Sequence, residues 1–199
     1  MRLIRTEYLI RSGAFATSAE GARIVDEIKT GITEVVWPAT SNSFTINPTR
    51  KGNGVDAIKG NFLAHLASRG WQTEARMGIG DMRPGPLDAV KKLYDSRSFA
   101  VEWETGNISS SHRAINKMIM GMQSGELAGG ALVLPTRELY RYLTDRIGNF
   151  EELIPYFAWF RSCTHVQGLL AIFAIQHDDE SVDAPLIPKR TDGWRNYSA

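Results

Sequence analysis

The chain has 199 residues with 23 basic against 22 acidic side chains, a net charge of +1, so it lacks the global positive field of a protein that binds nucleic acid by charge alone. Its 43% hydrophobic and 23% charged content is that of one globular domain with a sizeable core, which excludes a disordered or collagen-like chain. The single cysteine, Cys163, excludes an intramolecular disulfide and a cysteine-based zinc cluster, and with no apolar run of signal-peptide or membrane-helix length the protein is expected in a reducing, bacterial cytoplasm.

From Glu20 to Val36 the apolar residues Ile24, Val25, Ile28, Ile32, Val35 and Val36 recur at spacings of three and four. That period predicts an amphipathic helix serving as core scaffold, stopped by Pro38. The segment TSNSFTINPTRKGNG that follows reads as a loop, and its Arg50 and Lys51 either grip phosphates or are simply solvated. A second helix is predicted over Val55 to Ser68, with Ile58, Phe62, Leu63 and Leu66 on one side and Lys59 and a structural His65 on the less apolar side. Gly70 ends it, and Trp71 to Met77 reads as a short strand carrying Glu74. The run GIGDMRPGPLDAVKKL is a loop feeding a strand that has Asp88 near its start, and its glycines match neither a phosphate loop nor a dinucleotide fingerprint.

In FAVEWETGNISSSHRAINK, residues 99–117, Phe99, Val101 and Trp103 alternate with Ala100, Glu102 and Glu104. A period of two predicts a strand with both glutamates on one face. Neighbouring carboxylates repel, so that face either holds a divalent cation or is well solvated; the spacing by itself leaves both readings open. Asp88 on one strand with Glu102 and Glu104 on the next is the arrangement of a metal-dependent nuclease centre, in which Asp88, Glu102, the Trp103 carbonyl and Glu74 supply oxygen ligands. Ser109 is predicted to cap the following helix, beside Asn107, Ser110 and Arg113, side chains of the kind that read base edges; ordinary capping and surface polarity account for them equally.

Ile115, Met118, Ile119 and Met122 form a stripe that is either core or half of a subunit interface, closed by Gly125. Ala131 to Pro135 reads as a short buried strand, Arg137 to Arg146 and Phe150 to Phe160 as helices, and Gly168 to Ile175 as a strand buried on both faces. The tail from Asp183 to Ala199 reads as an arm. Strands interleaved with helices predict an α/β fold with a central mixed sheet flanked by helices.

The segments VVWPATSNSFTIN, GPLDAVKKL, VEWETGNISSSHR, YLTDR, NFEELIPYF and PLIPK, in order from Val35 to Lys189, resemble the BamHI family of type II restriction endonucleases, within the broad PD-(D/E)xK nuclease superfamily. The resemblance implies a restriction-endonuclease-like fold and a homodimer that hydrolyses double-stranded DNA at the palindrome GGATCC, after the first G of each strand. Two Mg2+ ions per active site and a companion DNA methyltransferase that protects the host are implied with it. Glu74, Asp88 and Glu102 match the family's metal ligands. Glu104 stands where the superfamily usually has lysine and becomes the candidate general base. Asn107, Ser109, Arg113, Asp145 and Arg146 match major-groove readers, Arg146 and Arg113 for guanines, Asp145 for cytosine amino groups and Asn107 with Ser109 for the inner pairs. Lys59 matches a further DNA contact. The Met and Ile stripe and the Phe150 to Phe160 helix correspond to the helical bundle of the dimer. The chain departs from the family at its end, where Arg190 and Trp194 replace small or flexible residues at the minor groove and no C-terminal helix follows. A catalytically inert or differently targeted DNA-binding relative of the same fold is the alternative.

Overall fold

The computed structural model describes residues 1–79, 85–144 and 147–189. Among these, six strands form the main sheet, in the spatial order β1 (Arg2–Ser12), β7 (Gly168–Gln176), β6 (Leu127–Pro135), β5 (Ser98–Trp103), β4 (Leu87–Lys92) and β3 (Gln72–Ala75). The central β5, β6 and β7 run parallel, whereas β1, β4 and β3 pair antiparallel with their neighbours, so the sheet is mixed as the sequence predicts. β2 (Thr45–Ile46) and β8 (Asp179–Glu180) make a small parallel pair beside it. No helix among the described residues is long and apolar enough to cross a membrane.

Alternation along the strands sorts side chains into two cores. Phe99, Val101, Trp103, Val133 and Phe173 face one way, against α1 (Gly13–Thr17), α2 (Ala19–Thr33) and α3 (Asp56–Ser68) through Phe15, Ile28 and Phe62. Ala100, Leu132, Leu134 and Ile172 face the other way, against α4 (Ile108–Gln123) through Ile115, Met118 and Met122. The Met and Ile stripe of α4 is therefore core, with Ile119 at its margin. A parallel strand pair needs a crossover, and α4 supplies it between β5 and β6.

Several elements depart from the sequence pattern for identifiable reasons. β1 has no counterpart in that pattern: it is an edge strand studded with Arg2, Arg5, Glu7 and Arg11, and bulges between Leu3 and Arg5 and between Tyr8 and Ile10 break its period of two. β6 begins at Leu127, four residues before Ala131, because Gly129 and Gly130 mask a strand that needs close approach of its neighbours. A Cβ on Gly129 would press on the Leu169 carbonyl and the Phe99 ring, and one on Gly130 on Met118 of α4. Gly129→Ala is accordingly expected to lower the unfolding free energy by about 1–3 kcal/mol, read from urea denaturation, because neither a paired carbonyl nor a core ring can withdraw. The predicted helix from Arg137 stops at Tyr140 as α5 (Arg137–Tyr140). The one from Phe150 breaks into α6 (Phe150–Leu153), a 3-10 turn over Ile154–Tyr156 and α7 (Phe157–Arg161), since Pro155 cannot donate to the helical ladder.

The beginning of the expected arm is tied to the body. Ile187 is buried; its N–H donates to Asn53 Oδ1 at 3.2 Å and its carbonyl accepts from the Gly54 N–H at 2.8 Å. The Trp37 indole N–H holds the Pro185 carbonyl at 2.8 Å.

Candidate active site

The register between β4 and β5 pairs Ala89 with Val101 and Val90 with Ala100, so one step further Asp88 stands opposite Glu102. Cross-strand partners share a face, and here it is the face covered by α4. The Asp88 N–H donates to Glu102 Oε2 at 3.3 Å, and Asp88 Oδ2 accepts from the Trp103 N–H at 2.8 Å. Two ammonium groups converge on this carboxylate pair. Lys59, on the first turns of α3, reaches Asp88 Oδ1 at 2.5 Å, and Lys117 of α4 pairs with Glu102 Oε1.

Glu104 follows the end of β5 and is buried. Its Oε1 accepts from the Gly106 N–H at 2.5 Å and its Oε2 from the buried Ser111 hydroxyl at 2.9 Å. Burial pushes its carboxyl above the ordinary glutamate value, with the nearby charge of Asp88 adding to the rise and the Gly106 and Ser111 hydrogen bonds opposing it. Burial raises the Glu102 carboxyl as well, against the pull of Lys117 and with the repulsion of Asp88. Both shifts report carboxylates held close together away from bulk water.

These groups line an open cleft of about 1060 Å³. Its other wall is α4, from which Ser109, Arg113, Asn116, Lys117 and Met120 enter at helical spacings of three and four. Three basic side chains, Lys59, Arg113 and Lys117, thus face the acidic Asp88, Glu102 and Glu104 across one cleft. Lys117 and Ser111 carry no notice in the sequence reading. The signal for Lys117 was its place four residues after Arg113 and eight after Ser109, on the same helical face.

The N-terminal cap of α4 is Asn107, whose side chain accepts from the Ser110 N–H at 3.2 Å; Ser109, predicted to hold that place, lies inside the first turn and is exposed. Asn107 and Arg113 are exposed too, so the start of α4 presents an unburied polar face beside the acidic pocket. Glu74 is not drawn into the cleft. The register puts it opposite Asp88, but its φ of 50° interrupts the pleat, and it is exposed and absent from the cleft wall. Asp145, Arg146, Arg190 and Trp194 lie outside the described residues.

The donor set suits a hard divalent cation. Asp88 and Glu102 offer adjacent carboxylate oxygens, and the Lys59 and Lys117 ammonium groups that neutralise them here would have to yield part of that contact to a bound cation. Among the described residues no three Asp, Glu, His or Cys side chains are gathered into a ready-made cage.

A family model described as Restriction endonuclease BamHI matches residues 1–194. The type II restriction enzyme OkrAI of Oceanobacter kriegii is 52% identical over 195 residues, 97% of this chain and 98% of that protein. The type II restriction enzyme BamHI of Bacillus amyloliquefaciens is 39% identical over 181 residues, 87% of this chain and 83% of that protein. Among solved structures, the restriction endonuclease BglII in complex with a DNA 16-mer superposes with a TM-score of 0.59 at 9% identity, covering 88% of this chain and 78% of that one, a likeness of fold.

Proposed function

The chain belongs to the BamHI family of restriction endonucleases, and on that premise we propose that it acts as one catalytic and DNA-binding domain cutting double-stranded DNA at GGATCC, after the first G of each strand. The observation that carries the proposal is the sharing of one cleft by Asp88, Glu102 and Glu104 with Ser109 and Arg113 at the start of α4. Hydrolysing a phosphodiester requires charge compensation on the phosphoryl oxygens, an activated water and help for the leaving oxygen. Asp88 and Glu102, with the Trp103 carbonyl, would hold Mg2+, two ions per site, and Glu74 would have to turn inward to join them. When bound there, the cation would supply Lewis acidity and lower the pKa of a coordinated water. Glu104 takes a proton from the attacking water, a role that its raised pKa favours, while Lys59 and Lys117 add positive charge beside the scissile phosphate. Asn107, Ser109 and Arg113, with Asp145 and Arg146, read base edges in the major groove, each bidentate contact giving about 1–3 kcal/mol of discrimination. Arg190 and Trp194 approach the minor groove. Such an enzyme works in the bacterial cytoplasm beside a methyltransferase that protects the host's own sites.

The test is a plasmid bearing one GGATCC site, incubated with the protein and Mg2+. One linear product with ends mapping to G/GATCC is expected. Unchanged plasmid with folded protein across a range of salt would reject nuclease activity, and cutting of a plasmid lacking the site would reject the target.

A palindrome is read by a two-fold dimer. Trp159 at 70% exposure and Tyr156 at 47% lie three residues apart, with Met120 and Ile154 also exposed, and the Tyr156 ring packs edge-on against His112 of α4 at 4.4 Å. Large aromatics left in water next to a cleft-lining helix suit a subunit seam. Trp159→Glu is expected to sediment as a monomer and to lose double-strand cleavage, while unaltered sedimentation and cutting would remove this surface from the seam.

A further inference from the structure

A second concavity lies apart from the acidic cleft. Arg50, Arg137, Tyr140, Arg141 and Tyr142 line an open hollow of about 520 Å³. Its chemistry is that of an anion site with aromatic walls. Among the described residues, neither Arg50 nor Arg137 has a carboxylate within ion-pair distance of its guanidinium. Arg141 shares Glu138 at 2.8 Å in an exposed pair, and the Tyr142 hydroxyl donates to Glu180 at 2.9 Å. Exposed pairs of that kind are weak and are readily exchanged for a phosphate.

The hollow is rigidly mounted. Arg50 and Lys51 are the central residues of a turn in which Lys51 adopts φ 54° and the Gly52 N–H donates to the Thr49 carbonyl at 2.9 Å. Lys51 N–H then donates to the Arg141 carbonyl at 3.0 Å and Asn53 N–H to the Tyr142 carbonyl at 2.9 Å, while the buried Asn53 side chain grips both Tyr142 and Asn47. The same loop is stitched to the two segments that lead to Asp145 and to Arg190. The Thr144 N–H donates to the Asn53 carbonyl at 2.8 Å, one residue before Asp145, and the Gly54 N–H donates to the Ile187 carbonyl at 2.8 Å, three residues before Arg190. On the far side, the Gly148 N–H donates to the Gly106 carbonyl at 2.8 Å, at the foot of the reading helix. The chain from Tyr142 to Gly148 spans at most about 20 Å, so the hollow sits within roughly that distance of Gly106. With a rise of about 3.4 Å per base pair, that upper bound is about six base pairs, and since one protomer would read a half-site of only about three, the flanking backbone is within reach of the hollow.

We propose that Arg50, Arg137 and Arg141, with Tyr140 and Tyr142, form a second phosphate-binding site that grips the DNA backbone outside the six base pairs read in the cleft. The site rests on the DNA-cleaving reading above. It takes phosphodiester oxygens and no base edge, so it contributes affinity that is independent of sequence and falls with salt. A duplex suits the hollow because its phosphates recur at regular intervals along both strands, so a duplex held in the cleft carries further phosphates to either side.

The test measures binding by fluorescence anisotropy with Ca2+ in place of Mg2+. Duplexes of about 10 and about 30 base pairs, with and without a central GGATCC, are compared for the wild type and for Arg50→Gln/Arg137→Gln/Arg141→Gln. The wild type is expected to prefer the longer duplex about tenfold or more and with a steeper salt dependence. The triple variant should lose that preference, its salt slope on the long duplex falling by about two to three, and the matching triple lysine variant should recover part of it. Should the triple variant misfold, Arg50→Gln alone, at an exposed loop position, is expected to reduce the slope by about one. A full length preference retained by the variants overturns the site. Because phosphate contacts ignore sequence, the duplexes lacking GGATCC still read it if the proposed target proves wrong.

Discussion

Asp88→Asn is expected to lower cleavage of a GGATCC plasmid by about a hundred- to a thousand-fold while leaving site-specific binding in Ca2+ intact. The substitution keeps the side chain's shape and removes its charge. Asp88 serves three neighbours: its backbone N–H donates to Glu102, Oδ2 takes the Trp103 N–H and Oδ1 takes Lys59. An asparagine can satisfy Trp103 with its oxygen only by turning its amide toward the Lys59 ammonium, donor against donor. The variant therefore also loses about 1–3 kcal/mol of stability, visible in a thermal melt. Adding Lys59→Met relieves the clash. If the double variant recovers the melting temperature but cleaves far less than Lys59→Met alone, the loss at Asp88 is chemical; cleavage equal to that of Lys59→Met alone removes Asp88 from its proposed metal site.

The second large effect belongs to Glu104, and two substitutions divide its roles. Glu104→Gln retains an oxygen for the Gly106 N–H and a group for Ser111, so the turn leading to Asn107 should survive. It cannot accept a proton at neutral pH, and cleavage is expected to fall by about 10²–10⁴-fold with binding retained. Glu104→Lys places a donor against two donors in a buried pocket, so cleavage is expected to fall and the start of α4 to shift with it, weakening discrimination at the bases that Asn107 and Ser109 are proposed to read. The pH profile gives an independent readout. A base must be deprotonated to act, and burial raises Glu104 above its ordinary 4.5, so the acid limb of the wild-type rate should lie above that value. A limb at the ordinary carboxylate position, or near-normal cutting by Glu104→Gln, removes Glu104 from the role of base.

Helices were legible where periodicity was unbroken. α2 and α3 follow directly from apolar residues at three- and four-residue spacings, and β5 from its alternation. β1 was hidden because an edge strand buries little and its bulges scramble the period, and the first half of β6 because glycines carry no hydrophobic signal. The helix ends were less legible: Asn107 and Ser109 are both good caps, and only the backbone entering α4 selects Asn107.

Sequence by itself determined the family, the α/β character and the three carboxylates, because motif residues and hydrophobic periods are local properties of the chain. Tertiary structure decided what those carboxylates touch. Strand register sets Asp88 against Glu102, and the crossover of α4 over β5 and β6 delivers Lys117 to Glu102 and Ser111 to Glu104. It also left Glu74 outside the cleft and turned the Met and Ile stripe of α4 inward, away from the outer surface that carries Trp159. Those pairings join residues far apart in the chain through a sheet and a packed helix, and no spacing in the sequence encodes the distance between them.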